Sequence, residues 1–108
     1  MPHYLYQVAY TPEAWAGMAK KPQDRARAIR PIVKQLKGKL ASFYLSFGEY
    51  DLVAIAEFPD NESAAAFSIA AAAGGAVKAI KTTPLMTAEE AMAAMKKAGG
   101  AGYRPPSS

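Results

Sequence analysis

Two strand-like segments separated by only two residues constrain the fold of this chain more than any other feature. Residues Leu40–Phe47 and Tyr50–Phe58 are rich in apolar and aromatic side chains, and only Gly48 and Glu49 lie between them. A Gly-X pair between two strands is typical of a type II′ turn, in which glycine takes the position with positive φ. We therefore predict a β-hairpin with Gly48 at the first position of a two-residue turn.

The register of this hairpin separates its side chains into two unlike faces. A two-residue turn pairs Phe47 with Tyr50 and Ser46 with Asp51, and the pairing continues outward from there. The first face is almost wholly apolar, and we predict that it faces the core: Ala41, Phe43, Leu45, Phe47, Tyr50, Leu52, Ala54 and Ala56. The second face mixes aliphatic, hydroxyl and carboxylate side chains: Leu40, Ser42, Tyr44, Ser46, Asp51, Val53, Ile55 and Glu57.

The residues before the hairpin indicate a strand and a helical crossover. Residues His3–Thr11 are rich in Tyr and Val and alternate as a strand does. Thr11-Pro12-Glu13 is a helix-start signal, with a capping hydroxyl, a proline at the first helical position and an acidic residue beside it. The main helix of the crossover is predicted for residues 22–37, and Gly38 ends it.

The residues after the hairpin indicate a second crossover, a last strand and a third helix. Pro59-Asp60-Asn61-Glu62 begins a helix with Asp60 or Asn61 as its cap, and no charged residue follows until Lys78. A helix that is apolar on every side is normally covered on more than one side. Residues 77–83 form the last predicted strand, and Thr87-Ala88-Glu89-Glu90 is a capping box that begins the third helix.

The order strand, helix, hairpin, helix, strand predicts an α+β fold. We expect a ferredoxin-like βαββαβ sandwich, in which two helices cover one face of a four-stranded antiparallel sheet, followed by a C-terminal helix. Residues 1–98 would form a single domain, and the Gly-, Pro- and Ser-rich residues 99–108 a flexible tail. Because the helices cover only the apolar face, the mixed face would be open in a monomer. Two such faces packed together would form a dimeric α/β barrel, so we predict a homodimer or a larger homo-oligomer.

Charge and composition exclude several classes of protein. Eight of the 13 basic residues lie between Lys20 and Lys39, but no aromatic residues alternate with them as a nucleic-acid site would require. No segment is long and apolar enough to predict a membrane span, and no signal peptide is recognisable, so the cytoplasm is the expected location. The chain has no cysteine and one histidine, His3. We accordingly predict no metal site, no cofactor, and neither nucleic acid nor membrane as a partner.

The hairpin also carries a family resemblance. The segment "FGEYD", together with "YLYQVAYTPEAW" before it and "LVAIAEFPDNESAAAFSIAAAAGGAVKAIKTTPLMTAEE" after it, resembles the GYD-domain family over residues 3–98. The Gly-x-Tyr-Asp signature of that family is matched by Gly48, Tyr50 and Asp51. The resemblance implies a ferredoxin-like fold related to dimeric α/β barrels, and it implies no reaction.

The polar residues of the mixed face are the candidates for a ligand site. The candidates are Ser42, Tyr44, Ser46 and Asp51, with His3 and Gln7 joining them if the first strand turns that side towards the same face. A polar-lined cavity between two sheets would suit a small polar or aromatic molecule. The alternative is an interface whose polar groups bond to one another. For the signature residues, we expect Tyr50 to pack on Phe47 and Asp51 to accept a hydrogen bond from Ser46.

Three functions remain open at this stage. The first is a small-molecule-binding dimer. The second is a cofactor-independent enzyme of the isomerase or monooxygenase type, acting on a small polar or aromatic substrate, as found among similar barrels. The third is a structural or assembly role. An enzyme would need an enclosed carboxylate or histidine, a binding protein only the pocket, and an assembly protein neither.

Overall fold

The structure, a computed structural model, describes residues 1–106 and has the predicted order of elements. The first crossover contains two helices, as Pro22 in the sequence suggested, and the C-terminal helix follows the last strand. The strands are β1 (His3–Tyr10), β2 (Lys39–Leu45), β3 (Leu52–Glu57) and β4 (Val77–Leu85). The helices are α1 (Pro12–Lys20), α2 (Arg25–Gln35), α3 (Asn61–Ala73) and α4 (Ala88–Gly99). The α+β, ferredoxin-like fold predicted from the sequence is confirmed.

The four strands form one antiparallel sheet in the order β2-β3-β1-β4. The central strand β1 carries tyrosines on its core side because a central strand buries the most apolar surface. Tyr6 is 1% exposed, and its ring packs edge-on against Phe67 of α3 at a centroid distance of 5.1 Å. Its hydroxyl donates to the carbonyl oxygen of Ala64 at 2.8 Å, and the Tyr4 hydroxyl donates to Oδ1 of Asn61 at 2.6 Å. The core therefore lies between the sheet and the helices, on one side of the sheet.

Each helix begins at a capping side chain. The Thr11 hydroxyl accepts from the backbone N–H of Ala14, and the Asp60 carboxylate accepts from that of Ser63. Asp24 caps α2 in the same way, and Thr87 and Glu90 form the complete capping box of α4. These local signals depend only on residues within one turn, which is why the predicted helix starts at Thr11, Asp60 and Thr87 are confirmed.

The hairpin between β2 and β3 differs from the prediction in its turn. The predicted register holds at Leu45–Leu52 and Tyr44–Val53, but residues 46–51 form a six-residue loop in place of a two-residue turn. Gly48 does not have positive φ, so the type II′ assignment is wrong. The loop is held by the rest of the sheet, since the N–H of Ser46 donates to the carbonyl of Asp51 and the N–H of Asp51 donates to that of Val8.

A bulge in β2 changes which side chains face the core. The register shifts between Leu40 and Ser42, so Ala41 is the extra residue and Leu40 pairs with Ala56. Leu40 packs against the core and Ala41 is exposed, the reverse of the predicted assignment. Leu52, Ala54 and Ala56 are buried as predicted, whereas Leu45 and Phe47 at the loop are exposed.

Helix α4 extends away from the sheet. None of its residues is buried, and the described chain measures 58 × 33 × 22 Å. The tail predicted for residues 99–108 overlaps the end of α4 at Gly99, and residues 107 and 108 lie outside the described part of the chain. Both the domain boundary at residue 98 and the flexibility of the tail remain predictions.

Candidate functional site

The face of the sheet that points away from the helices gathers most of the predicted candidates. Because Tyr4, Tyr6 and Val8 face the core, the alternating residues His3, Leu5 and Gln7 point to the opposite side. The sequence left the orientation of β1 open, and the structure places His3 and Gln7 on the same face as Ser42 and Tyr44. We call this side of the sheet the open face.

Two rows of side chains cross the open face from β2 to β4. Their order follows from the pairing of each strand with its neighbours. The first row is Tyr44, Val53, Gln7 and Lys81, and the second row is Ser42, Ile55, Leu5 and Thr83. The second row has aliphatic residues on both central strands, and the first row has Val53 on β3 beside the polar Gln7 on β1. This mixture is found neither in a dry core nor on an ordinary solvated surface.

A histidine and a carboxylate lie together at one end of the open face. Nε2 of His3 lies 3.7 Å from Oε2 of Glu57, and the two residues pair across β1 and β3. A shallow cavity of about 240 Å³ adjoins them. Its lining residues are His3, Ile55, Leu85, Met86 and Thr87. This end of the face can therefore hold a proton donor and a proton acceptor beside an apolar wall.

Two other candidates, Asp51 and Ser46, form hydrogen bonds that stabilise the β2–β3 loop. Oδ2 of Asp51 accepts from the backbone N–H of Tyr10 at 2.9 Å, next to the point where the pairing of β1 with β4 shifts register. The Ser46 hydroxyl donates to the carbonyl of Tyr50 at 2.8 Å. The Asp51 carboxylate therefore accepts a hydrogen bond from the backbone of Tyr10 in β1, and not from Ser46 as predicted. The signature aspartate joins the loop to the central strand, a contact that the hairpin alone could not reveal.

The other signature residues have fewer contacts than expected. Phe47 is 99% exposed, so the predicted packing of Tyr50 on Phe47 is wrong. A Cβ atom at Gly48 would meet no heavy atom within 4 Å. Within the single chain, then, neither backbone conformation nor crowding requires glycine at position 48.

Sequence reasoning missed part of the open face. Leu5, Lys81 and Thr83 lie in its two rows, but their orientation was not predicted because β1 and β4 are partly apolar on both sides. One signal could have placed Lys81 and Thr83. The segment "IKTTPL" lies just before the capped start of α4, and the alternation of a strand puts Lys81 and Thr83 on the side opposite Ile80 and Thr82. Within residues 1–106, no three His, Cys, Asp or Glu side chains come together in a way that could hold a metal ion.

The sequence between residues 4 and 95 matches the GYD-domain family. This match covers most of the chain. The chain belongs to the GYD-domain family. No functionally curated protein shows significant sequence similarity to this GYD-domain protein.

Among solved structures, the GYD domain resembles the crystal structure of MtbAldR, with a TM-score of 0.57 and 15% sequence identity. The similarity covers 80% of this chain and 53% of the MtbAldR chain, so the GYD domain spans about half the length of that protein. At this level of identity the likeness concerns the fold alone. Within the described residues of the GYD domain, no helix combines the length and the apolar character that a bilayer span would need.

Proposed function

We propose that this GYD-domain protein is a small-molecule-binding module that works as a homodimer. In this proposal the open faces of two chains pack together as a dimeric α/β barrel, and a small polar or aromatic molecule binds between them. The observation that carries it is the pair of rows on the open face, which combine aliphatic and hydrogen-bonding side chains on the side of the sheet opposite the helices of the core. A cytoplasmic location is part of the same proposal.

The aliphatic residues of the open face favour dimer formation. Leu5, Val53 and Ile55 lie on the two central strands and are only half-buried in the single chain. Covering the remaining apolar surface would stabilise the assembly by about 25 cal/mol for each Å² removed from water. Lys81 at the end of one row would stay at the rim, where polar groups keep their contact with water.

The polar residues of the same face favour a ligand. The side chains of Gln7, Ser42 and Tyr44 make no hydrogen bond to protein within residues 1–106. Burying such groups in a dimer without partners would cost about 1–3 kcal/mol each. A bound molecule with hydroxyl, carbonyl or carboxylate groups would supply those partners and would keep the interface from being purely structural.

The dimer is tested by placing a charge at the centre of the open face. Ile55→Lys should convert the protein to a monomer in multi-angle light scattering at micromolar concentration, because a buried ammonium without a partner opposes association. Ile69→Lys makes the same chemical change on the outward side of α3, where Ile69 is 67% exposed, and should leave the dimer intact. A wild-type chain that stays monomeric at these concentrations would reject the barrel arrangement.

Ligand binding is tested with a matched pair of hydroxyl deletions. Small polar and aromatic compounds would be screened by their effect on the melting temperature of the wild-type protein. Compounds that raise it should lose most of that effect in Tyr44→Phe, since the hydroxyl on the open face is removed. Tyr103→Phe deletes an equally exposed hydroxyl outside the domain and should behave as wild type. Equal responses of the two variants would place the ligand elsewhere.

The second candidate is a cofactor-independent isomerase, and the His3–Glu57 pair favours it. A histidine beside a carboxylate can take a proton from one carbon of a substrate and return it to another. This chemistry is tested by following, with NMR, the exchange with deuterium of the C3 protons of phenylpyruvate, which are adjacent to its keto group. We expect acceleration by wild type and its loss in His3→Gln. If wild type does not accelerate the exchange over buffer, or if the acceleration persists in His3→Gln, the isomerase proposal based on His3 is excluded.

A further inference from the structure

We propose that the cleft between α2 and α3, on the helical side of the sheet, binds a small amphipathic carboxylate. This site is separate from the open face and would be present in each protomer. The cleft consists of a cavity of about 270 Å³ between α2 and α3, which continues into a second cavity of about 550 Å³ beside α1, the α1–α2 loop and the start of α2. Tyr10, Arg25 and Ala76 line both cavities, so a single elongated molecule can occupy the two together.

The smaller cavity has apolar walls. Ile29 and Ile32 of α2 lie on one side, Phe67 and Ala71 of α3 lie on the other, and Val8 of β1 lies at the bottom. The alanines of α3 are the reason for the space, because larger side chains at these positions would fill the gap between the two helices. The inner side of α3 after Glu62 thus forms a wall for an apolar group, which accounts for the absence of charge on that side of the helix.

The larger cavity has a cationic lining. Arg25 and Lys21 lie at its wall with one acidic residue, Glu13, so the lining carries a net positive charge. Nη1 of Arg25 donates to Oε1 of Gln23 at 2.7 Å, which orients the guanidinium and leaves its other N–H donors available. An anionic group at Arg25 would therefore meet a side chain that is already partly fixed in position.

Tyr10 supplies an independent indication of a ligand. The residue is 5% exposed, and its hydroxyl has no hydrogen-bond partner within residues 1–106, unlike the hydroxyls of Tyr4 and Tyr6. No fully buried side-chain oxygen or nitrogen of the described chain lacks a partner. The Tyr10 hydroxyl must therefore be reached by solvent, and the cleft is the open space that Tyr10 borders. A ligand oxygen in the cleft would replace that water.

These features specify the chemistry of the ligand. The arginine fork matches the two oxygens of a carboxylate, and the phenol can donate a further hydrogen bond to it. The apolar cavity next to it accepts an aliphatic or aromatic body but has no polar group deep inside. A medium-chain fatty acid or an arylalkanoic acid satisfies both parts, so octanoate is a suitable probe.

Calorimetric titration of the full chain with octanoate tests the charged end of the site. We expect wild type to bind octanoate, and Arg25→Gln to weaken that binding by about tenfold. The matched control, Arg27→Gln, removes the same charge from the exposed side of α2 and should retain wild-type affinity. Octan-1-ol, which has no charge, should bind wild type and Arg25→Gln equally. No binding of octanoate, or equal weakening by the two arginine variants, would overturn the proposal.

The smaller, apolar cavity is tested with a substitution whose larger side chain would fill it. Ala71→Leu should abolish octanoate and octan-1-ol binding, while Ala72→Leu on the exposed side of α3 should not. Circular dichroism would verify that both variants are folded, and unchanged binding in a folded Ala71→Leu variant would count against the assigned pocket. The Ile55→Lys monomer should still bind octanoate. A result against the proposed dimer can therefore be distinguished from a result against the proposed cleft.

Discussion

Gly38 and Gly48 lie near the two ends of the β2–β3 hairpin and differ in their surroundings. A Cβ atom at Gly38 would lie 2.6 Å from the carbonyl oxygen of Glu57 and 2.6 Å from Cδ1 of Phe58, whereas Gly48 has open space. We predict that Gly38→Ala lowers the free energy of unfolding by about 2–3 kcal/mol, because backbone and a buried ring must move. Gly48→Ala should change it by less than about 0.5 kcal/mol. Urea unfolding would measure both, and equal losses would contradict the close packing at Gly38.

Asp51 is the signature residue with a defined structural contact. Its carboxylate accepts the backbone N–H of Tyr10, so Asp51→Ala should leave that N–H without a protein partner and cost about 1–3 kcal/mol. Asp51→Asn keeps an acceptor oxygen of similar position and should cost less. Thermal or urea unfolding of the two variants tests the order. A more stable Ala variant would indicate that the bond to β1 does not support the loop.

Burial also changes the titration of one core phenol. Burial raises the pKa of Tyr6 well above its ordinary value of 10.0. Because the folded-state pKa is the higher one, the protein gains stability from neutral Tyr6 below about pH 10 and loses it as the pH rises further. We predict that wild type loses stability faster than Tyr6→Phe between pH 9 and 11. Parallel pH dependence of the two proteins would show that another group controls alkaline unfolding.

At the scale of the element, α4 depends on its own capping box because none of its residues is buried or packs against the hydrophobic core. Its first turn is held by the paired bonds between Thr87 and Glu90. The bond from the backbone N–H of Thr87 lowers the pKa of Glu90 below its ordinary 4.5. The cap therefore stabilises α4 above about pH 4.5 and loses that effect as the pH falls through the lowered pKa.

We predict that the amide signal of Thr87 moves with the titration of Glu90 in NMR spectra below pH 5. In Glu90→Gln the acceptor is retained without a titrating group, so this movement should disappear while α4 stays helical. The Asp60 cap of α3 provides the internal reference, since it should titrate in both proteins. A Thr87 signal that moves equally in the variant would exclude the Glu90 contact as its cause.

The elements differ in how far the sequence alone could define them. The starts of α1, α3 and α4 were predictable because each cap lies within three residues of the N–H that it accepts. The β2–β3 loop was not, because its shape depends on Val8 and Tyr10, which are some forty residues away in sequence. The bulge at Ala41 is equally non-local, since only the pairing with β3 shows it.

For the candidate site, too, the sequence defined what depends on neighbouring residues and not what depends on distant ones. Alternation correctly grouped Ser42 with Tyr44 because both lie on the regular part of β2, after the bulge at Ala41. It could not orient β1, since both sides of that strand are partly apolar, and the two rows of the open face became visible only with the sheet order. The α2–α3 cleft was not predictable at all, because it results from the distance between helices and not from any local pattern.

At the scale of the whole molecule, the position of β1 makes the sheet dependent on its last strand. β1 pairs with β3 on one side and, through eight residue pairs, with β4 on the other. We predict that a chain ending at residue 76 fails to fold although it contains the helices α1, α2 and α3, because one edge of its central strand would be unpaired. A chain ending at residue 86 retains β4 and should fold without α4. Circular dichroism and amide NMR spectra of the two chains test this, and a cooperative fold of the shorter one would contradict it.

The central position of β1 also has a consequence for biosynthesis. Within this domain, β1 is synthesised before its partner strands and cannot complete its pairing until residues near 85 have emerged, so contacts of long sequence separation must form late. Until β4 is made, the tyrosine-rich segment of residues 3–10 keeps one unpaired edge even after β3 has joined it, and an unpaired strand edge favours pairing with other chains. The nascent GYD domain therefore passes its most aggregation-prone stage before β4 is available, and the speed of translation over residues 60–85 determines how long that stage lasts.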